Sequence, residues 1–131
     1  MSKRVRGDYE TLRLAVDIHR RAVKLQAHWT EFDPYGAVVY HLSDLVEAAW
    51  GLREAVFYTK DDWSLAVMYW NGSRTIGKGL TSHYDLFKAQ IKGIEGAIRR
   101  LQKVPYSRRI VGADCFIAAM KSTLQELKAQ A

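Results

Sequence analysis

The strongest constraint on the fold is an apolar pattern in residues 83–104. Large apolar side chains recur there at alternating steps of three and four residues: Tyr84, Phe87, Ile91, Ile94, Ile98 and Leu101. Because an α-helix repeats about every 3.6 residues, this spacing places all of them on one narrow face. A face of that width packs against another helix. The segment therefore predicts a helix whose apolar seam lies in a helical core.

The same predicted helix has two further faces. Its cations form a basic stripe: Lys88, Lys92, Arg99 and Lys103. Its smallest residues recur at every fourth position: Ala89, Gly93 and Ala97. A glycine costs a helix up to about 1 kcal/mol relative to alanine. The bare strip therefore indicates subunit or helix packing, or the close approach of a phosphate backbone. A tight helix crossing inside the monomer would explain it equally.

The rest of the chain predicts an all-α bundle of four to five helices with a short basic N-terminal arm. Periodicity, capping residues and helix breakers place the helices over residues 8–29, 37–58, 63–70, 82–104 and 107–128. Connections of this length suit a bundle that forms a single domain over residues 1–131, with residues 1–7 as the arm.

The segment 63–81 allows two interpretations. The alternation over residues 63–70 is acceptable for a β-strand, and Asn71-Gly72 is a typical hairpin turn. This segment is therefore compatible with a β-hairpin. Asn-Gly also closes a helix in the left-handed conformation. We favour a short helix because no convincing partner strand follows. Gly72–Thr81 then reads as a basic, glycine-rich loop.

Each long helix also has a predicted inner side. On the first helix these residues are Leu12, Ala15, Val16, His19, Val23 and Trp29. On the second they are Leu42, Leu45, Ala49, Leu52 and Val56, with Gly51 as a tolerated defect. On the last they are Ile110, Ala113, Ile117, Met120, Leu124 and Leu127. These sets predict the core.

The net charge of +6 is unevenly placed along the chain. Residues 1–30 carry a net charge of +4, residues 31–62 of −5, and residues 63–131 of +7. Basic ends around an acidic centre allow one positive surface to meet a polyanion. They also allow the halves of the chain, or neighbouring copies, to attract each other.

Two groups of cations are candidate nucleic-acid-binding residues. The first group comprises Lys3, Arg4, Arg6, Arg13, Arg20, Arg21 and Lys24. The second comprises Lys88, Lys92, Arg99, Arg100, Lys103, Arg108 and Arg109. Phosphate contacts need only suitably spaced cations. Neither group has the Asn, Gln and Arg pattern that reads base edges, so we expect backbone contacts that ignore sequence. The alternative is that both groups form solvated faces.

The sequence predicts no cofactor, no metal site and no enzymatic activity. The four histidines have no metal-ligand spacing: His19, His28, His41 and His83. Cys115 is the only cysteine and lies in an apolar run, so a buried thiol is expected. Residues 72–78 almost match a phosphate-binding loop, but Gly79 stands where Ser or Thr must bind magnesium.

One enzymatic alternative remains open. Arg13 and His19 form an R-x5-H string, which resembles the motif of helical ribonucleases of the HEPN class. In that class two motifs usually meet across a dimer, and the resemblance implies that His19 acts as a general base or orients the reacting phosphate.

The overall profile resembles the helical-bundle coat proteins of filamentous archaeal DNA viruses. The matching features are SKRVR at the N-terminus, the spacing of Arg6, Arg13 and Arg20, and the basic helix around Lys88–Lys103; asparagine, which occurs once, is scarce as well. The resemblance implies a structural protein that packages double-stranded DNA in many copies, in a virion assembled in the host cytoplasm. A small viral regulator that binds a host protein, as a cytoplasmic soluble protein, is the alternative.

Overall fold

The protein is an all-α helical bundle, as its sequence predicts. The computed structural model describes residues 9–34, 36–57 and 83–130. These form four α-helices, which we number in chain order: α1 (Tyr9–Phe32), α2 (Ala37–Phe57), α3 (His83–Gln102) and α4 (Ala113–Gln130). A 3-10 helix, Tyr106–Arg108, precedes α4. The basic arm, the segment 63–81 with its two interpretations, and the side chain of Tyr84 lie outside the described residues.

The four helices form a ring in the order α3–α2–α1–α4. One polar side-chain contact marks each seam of the ring: Arg100–Asp44, Gln26–Ser43, Asp17–Thr123 and Glu95–Lys128. Neighbouring helices run antiparallel. Along the α1–α4 seam, for example, Asp17 contacts Thr123 whereas His28 lies 6.5 Å from Phe116 between ring centroids. The ring places α1 opposite α3, and α2 opposite α4.

The core confirms the predicted inner sides of α2, α3 and most of α4. The predicted α3 residues are buried from Phe87 to Leu101, and the five α2 residues are buried as well. On α4 only Ile110, which precedes the helix, is partly exposed. Each of these helices has one dominant apolar face, so periodicity alone identifies it.

The predicted inner side of α1 is partly wrong. Val16 and Val23 are 37% and 40% exposed, and His19 is only half-buried. The core face of α1 is instead Thr11, Leu14, Ala15, Ile18, Ala22, Leu25 and Trp29. This helix carries apolar residues on two sides, and the side with the larger residues is buried because it removes more apolar surface from water.

The last helix begins later than the sequence predicts. We expected it to start at Ser107, but α4 starts at Ala113. Gly112 has a φ of +87°, a left-handed conformation that interrupts a helix and that glycine adopts without steric cost. The preceding residues, from Lys103 on, therefore form a separate connection between α3 and α4.

This connection is fastened to the end of α1. The indole Nε1 of the buried Trp29 donates a hydrogen bond to the carbonyl oxygen of Arg108 at 3.0 Å. The Arg108 guanidinium binds Oδ2 of Asp33 through Nε at 2.9 Å and Nη2 at 2.7 Å. Arg109 donates from Nε to the carbonyl oxygen of Val104 at 2.7 Å, which satisfies a free acceptor just past the end of α3.

Gly51 lies where α2 and α3 approach closely, so it contributes to packing and is more than a tolerated defect. The fully buried amide of Gln90 lies directly over its Cα. A Cβ atom at position 51 would lie 2.6 Å from Oε1 of Gln90, well inside van der Waals contact. Neither amide atom of Gln90 has a hydrogen-bond partner. The side chain thus fills space that only a glycine leaves open.

We expect Gly51→Ala to lower the free energy of unfolding by about 1–3 kcal/mol, because the added methyl overpacks the α2–α3 seam. Gly96→Ala is the matched control. Its Cβ would meet only Arg99 at an ordinary 3.7 Å, so helix propensity should raise stability by about 0.5–1 kcal/mol.

Urea denaturation measures both effects. Adding Gln90→Ala should recover much of the loss from Gly51→Ala, since the clash disappears with the amide. Equal stabilisation by the two glycine substitutions would contradict the close contact.

Candidate nucleic-acid interface

Three cations project from one side of α3. Lys92, Arg99 and the following Lys103 are exposed, and Lys88 is exposed one turn before Lys92. From Lys92 to Lys103 the row spans roughly 16 Å along the helix axis. No ion pair engages Lys92, Arg99 or Lys103 in the described part of the chain. The predicted basic stripe is therefore accessible to an anion.

A shallow groove of about 220 Å³ separates α3 from α4 beside this row. Ile98 and Leu124 form its apolar floor, and Arg99 and Lys121 stand at its edge. Glu95 also lines the groove, but Nζ of Lys128 binds its carboxylate at 3.2 Å. The groove therefore carries a net positive charge.

Lys121 is a candidate that the sequence did not reveal. On α4 it is followed only by Lys128, seven residues later, so the sequence shows a pair of cations there and not a stripe like that of α3. Only the packing of α3 beside α4 brings it to the same groove as Arg99. We call Lys92, Arg99, Lys103 and Lys121 the α3–α4 cation surface.

The arginines of α1 are engaged in ion pairs within their own helix. Nε of Arg13 binds Glu10 at 3.1 Å. Arg20 and Arg21 share Asp17, at 3.4 Å and 3.1 Å. Partial burial alone would raise the pKa of Asp17, but hydrogen bonds from Arg21 and Thr123 together with the charge of Arg21 outweigh it and lower the pKa. Asp17 thus stays ionised and holds both arginines.

The ring places the two predicted basic groups along opposite edges of α4. The stripe of α3 reaches α4 through the groove that Arg99 and Lys121 share. The arginines of α1 reach the other edge of α4, where Asp17 accepts a hydrogen bond from Thr123. They do not merge into one patch. The acidic outer side of α2, which includes Glu54, lies at the opposite corner of the ring.

Three predicted phosphate-binding residues have structural contacts. Arg100 turns towards α2 and binds Asp44 at 3.4 Å. Arg108 and Arg109 fasten the connection between α3 and α4, and the Arg109 side chain, which also binds Asp114, is only 15% exposed. Of the four remaining predicted cations, Lys24 is exposed on α1, whereas Lys3, Arg4 and Arg6 lie outside the described residues.

The bare strip of α3 lies at least partly inside the monomer. Ala97 is fully buried, whereas Ala89 and Gly93 are half-buried. Ala97 follows Gln90 by seven residues and precedes Arg100 by three, and both of those residues contact α2. A tight crossing of α3 with α2 therefore accounts for the Ala97 end of the strip.

The R-x5-H string does not form a catalytic pair within one chain. Arg13 points outwards to Glu10, whereas His19 is half-buried at the α1–α2 seam near Arg53. Burial, assisted by the charge of Arg53, lowers the pKa of His19. The two side chains thus lie on different sides of α1.

The described residues provide no alternative centre of known type. Among them no group of three His, Cys, Asp or Glu residues is placed to hold a metal ion. Cys115 is exposed, which corrects the expected burial, because it faces outwards on α4 beside the buried positions. No helix in the described part of the chain has a stretch apolar and long enough for a bilayer.

Comparison with known proteins gives no relative. No family model fits the chain, and no curated protein or solved structure matches it.

The lowered pKa of His19 predicts a loss of stability in mild acid. The unfolded chain takes up the proton near pH 6.5, before the folded chain does. The stabilisation is therefore complete above that pH and is lost as the pH falls from there towards the lower, folded-state pKa. His41 acts with the same sign, because burial and then the charge of Arg100 lower its pKa.

Urea denaturation at pH 7.5 and at pH 5 (about 2.5 units apart, spanning the free-histidine pKa) tests this. The double variant His19→Gln/His41→Gln should lose less stability on acidification than the wild type. The exposed His28, changed to Gln, is the control. An acid sensitivity unchanged in the double variant would refute the assignment.

Proposed function

We propose that this protein is a non-enzymatic structural protein that coats or packages nucleic acid without reading its sequence, and that phosphates bind at the α3–α4 cation surface. One observation carries the proposal: Lys92, Arg99 and Lys103 are exposed in one row, and Arg99 shares a groove with the exposed Lys121. Among the residues that the structure describes, no acidic group forms an ion pair with any of these four cations. The α1 arginines are less suited, because carboxylates of their own helix already bind them.

The geometry favours a polyanion over a small anion. Like charges held along roughly 16 Å repel one another, and a ligand with regularly repeated negative charge relieves that repulsion along the whole row. Duplex DNA presents one negative charge for about every 1.7 Å of its axis. Several phosphates therefore lie within reach of the row, and each one neutralised releases a counterion.

The groove favours a double-stranded ligand. Grooves for single strands stack bases on aromatic side chains. The residues that line this groove include no aromatic: Glu95, Ile98, Arg99, Gln102, Lys121, Leu124 and Gln125. A duplex keeps its bases stacked inside and offers its phosphates outside. Double-stranded DNA bound through its backbone is thus the ligand we propose.

A coat also requires contacts between subunits. Apolar side chains exposed on the bundle can supply them, among them Val16, Val23 and Trp50. Together with the resemblance to coat proteins of filamentous archaeal viruses, this supports a component of a virion assembled in the host cytoplasm. The same apolar side chains would also suit a regulator that binds one host protein, and such a regulator would not bind DNA.

We expect binding to duplex DNA that weakens steeply with salt. Four phosphate contacts give a slope of log K against log salt of about −3.6, since each contributes about −0.9. Arg99→Gln/Lys121→Gln should reduce the magnitude of the slope by about 1.8. Fluorescence anisotropy with labelled duplexes of unrelated sequence, between about 50 and about 200 mM salt, measures it.

Arg21→Gln/Arg100→Gln is the matched control, because it removes two positive charges that already have carboxylate partners. Its slope should stay closer to that of the wild type. The proposal fails if the wild type does not bind at the lowest salt, if unrelated duplexes bind with different affinities, or if both double variants lose binding equally.

A further inference from the structure

A second exposed surface runs along the α1–α2 seam, on the side of the ring opposite the α3–α4 groove. Val16 and Val23 of α1 and Trp50 of α2 are each more than a third exposed. We call these three residues the α1–α2 face. Exposed apolar residues that cluster in this way mark contact surfaces, whereas single ones need no explanation.

The contacts of the seam show that these residues lie together. Gln26 binds Ser43 across the seam, and His19 lies near Arg53. Val16 is three residues before His19, and Val23 is three before Gln26. Trp50 is likewise three before Arg53 and seven after Ser43. Residues three, four or seven apart share a helix side, so all three border this seam.

The two edges of the face carry opposite charges at the same spacing. On α1, Arg13 and Arg20 lie three residues before and four after Val16. On α2, Glu47 and Glu54 lie three residues before and four after Trp50. Each pair of charges is therefore seven residues, or about 10 Å, apart along its helix. The arginines are exposed, although each also binds a carboxylate of α1, and the glutamates are half-exposed. Four cations against two carboxylates over residues 9–24 keep the α1 edge positive.

We propose that a second copy of this chain binds the α1–α2 face and forms a closed dimer whose two-fold axis runs parallel to the helices. That axis sets α1 of each copy against α2 of the other, so each arginine edge meets a glutamate edge. A two-fold axis in the same plane but perpendicular to the helices would set arginine against arginine. Charge complementarity thus selects both the partner and its orientation.

In this dimer, the exposed apolar residues of the two copies lie at matching heights along the helix axes. The contacts Gln26–Ser43 and His19–Arg53 place Trp50 at the level of residues 20–22 of α1. That level lies between Val16 and Val23. In the dimer each indole therefore packs between the two valines of the other copy. A central Trp surrounded by charged edges is the usual anatomy of a protein interface.

This inference rests on the proposed function only in that a coat needs subunit contacts, and its test contains no nucleic acid. Sedimentation velocity of the full chain over a concentration series should show a monomer–dimer equilibrium. Glu54→Lys should weaken the dimer at least about tenfold, because it faces the arginine edge of the other copy between Arg13 and Arg20. Arg20→Glu/Glu54→Lys should restore it. Glu95→Lys, an equal charge change in the α3–α4 groove, should leave it unaffected.

The apolar centre has its own matched pair of variants. Val23→Glu should dissociate the dimer, whereas Val111→Glu, at a fully exposed valine outside the face, should not. Circular dichroism checks the fold of each variant. If Val23→Glu does not fold, the variants of Glu54 and Arg20 still test whether the dimer forms through this face.

Three results would overturn the inference: a wild type that stays monomeric, equal effects of Glu54→Lys and Glu95→Lys, or open polymers in place of a dimer. The proposed function fails separately. Duplex binding by a protein that stays monomeric refutes only the dimer, and a dimer that ignores duplex DNA refutes only the nucleic-acid role.

Discussion

The arrangement of the bundle depends on the hydrogen bond from the indole of Trp29 to the carbonyl oxygen of Arg108. The indole is fully buried, so leaving its N–H without an acceptor would cost about 1–3 kcal/mol. The bond joins the last turn of α1 to the connection between α3 and α4, and Asp33 holds the same connection through the side chain of Arg108. It thereby holds the segment that leads into α4 against the end of α1, whereas Gly112 sets where α4 begins. The groove between Arg99 and Lys121 depends on α4 lying beside α3.

The positive charges divide into two classes once the helices are packed. Arg108 and Arg109 stabilise the connection, and Arg100 bridges to α2. These cations neutralise acidic groups or carbonyl oxygens of their own chain. Within the described residues, no such partner forms an ion pair with the α3–α4 cation surface. A net charge alone does not reveal this division, because ion pairs between distant helices depend on the fold.

The sequence predicts the helices better than it predicts their neighbours. The seams of α2 and α3 follow from spacing because each helix has one apolar side, whereas Val16 and Val23 lie on the second apolar side of α1, where periodicity cannot choose. From the sequence, Gly51 is predicted to be a defect in α2, because the amide of Gln90 that lies over it belongs to another helix. Lys121 was missed for the same reason. Each of these features depends on which helices lie next to each other in the bundle. Helical periodicity carries no information about that arrangement.

The ring order also determines what a dimer would do with nucleic acid. The α1–α2 face and the α3–α4 cation surface lie on opposite sides of the four-helix ring. A dimer formed through the first therefore directs two copies of the second away from each other. Under the proposed function, such a particle would bind two duplex segments and hold them apart by the thickness of two bundles. The second segment would bind at the effective concentration set by the first, which would pack parallel duplexes without any sequence readout.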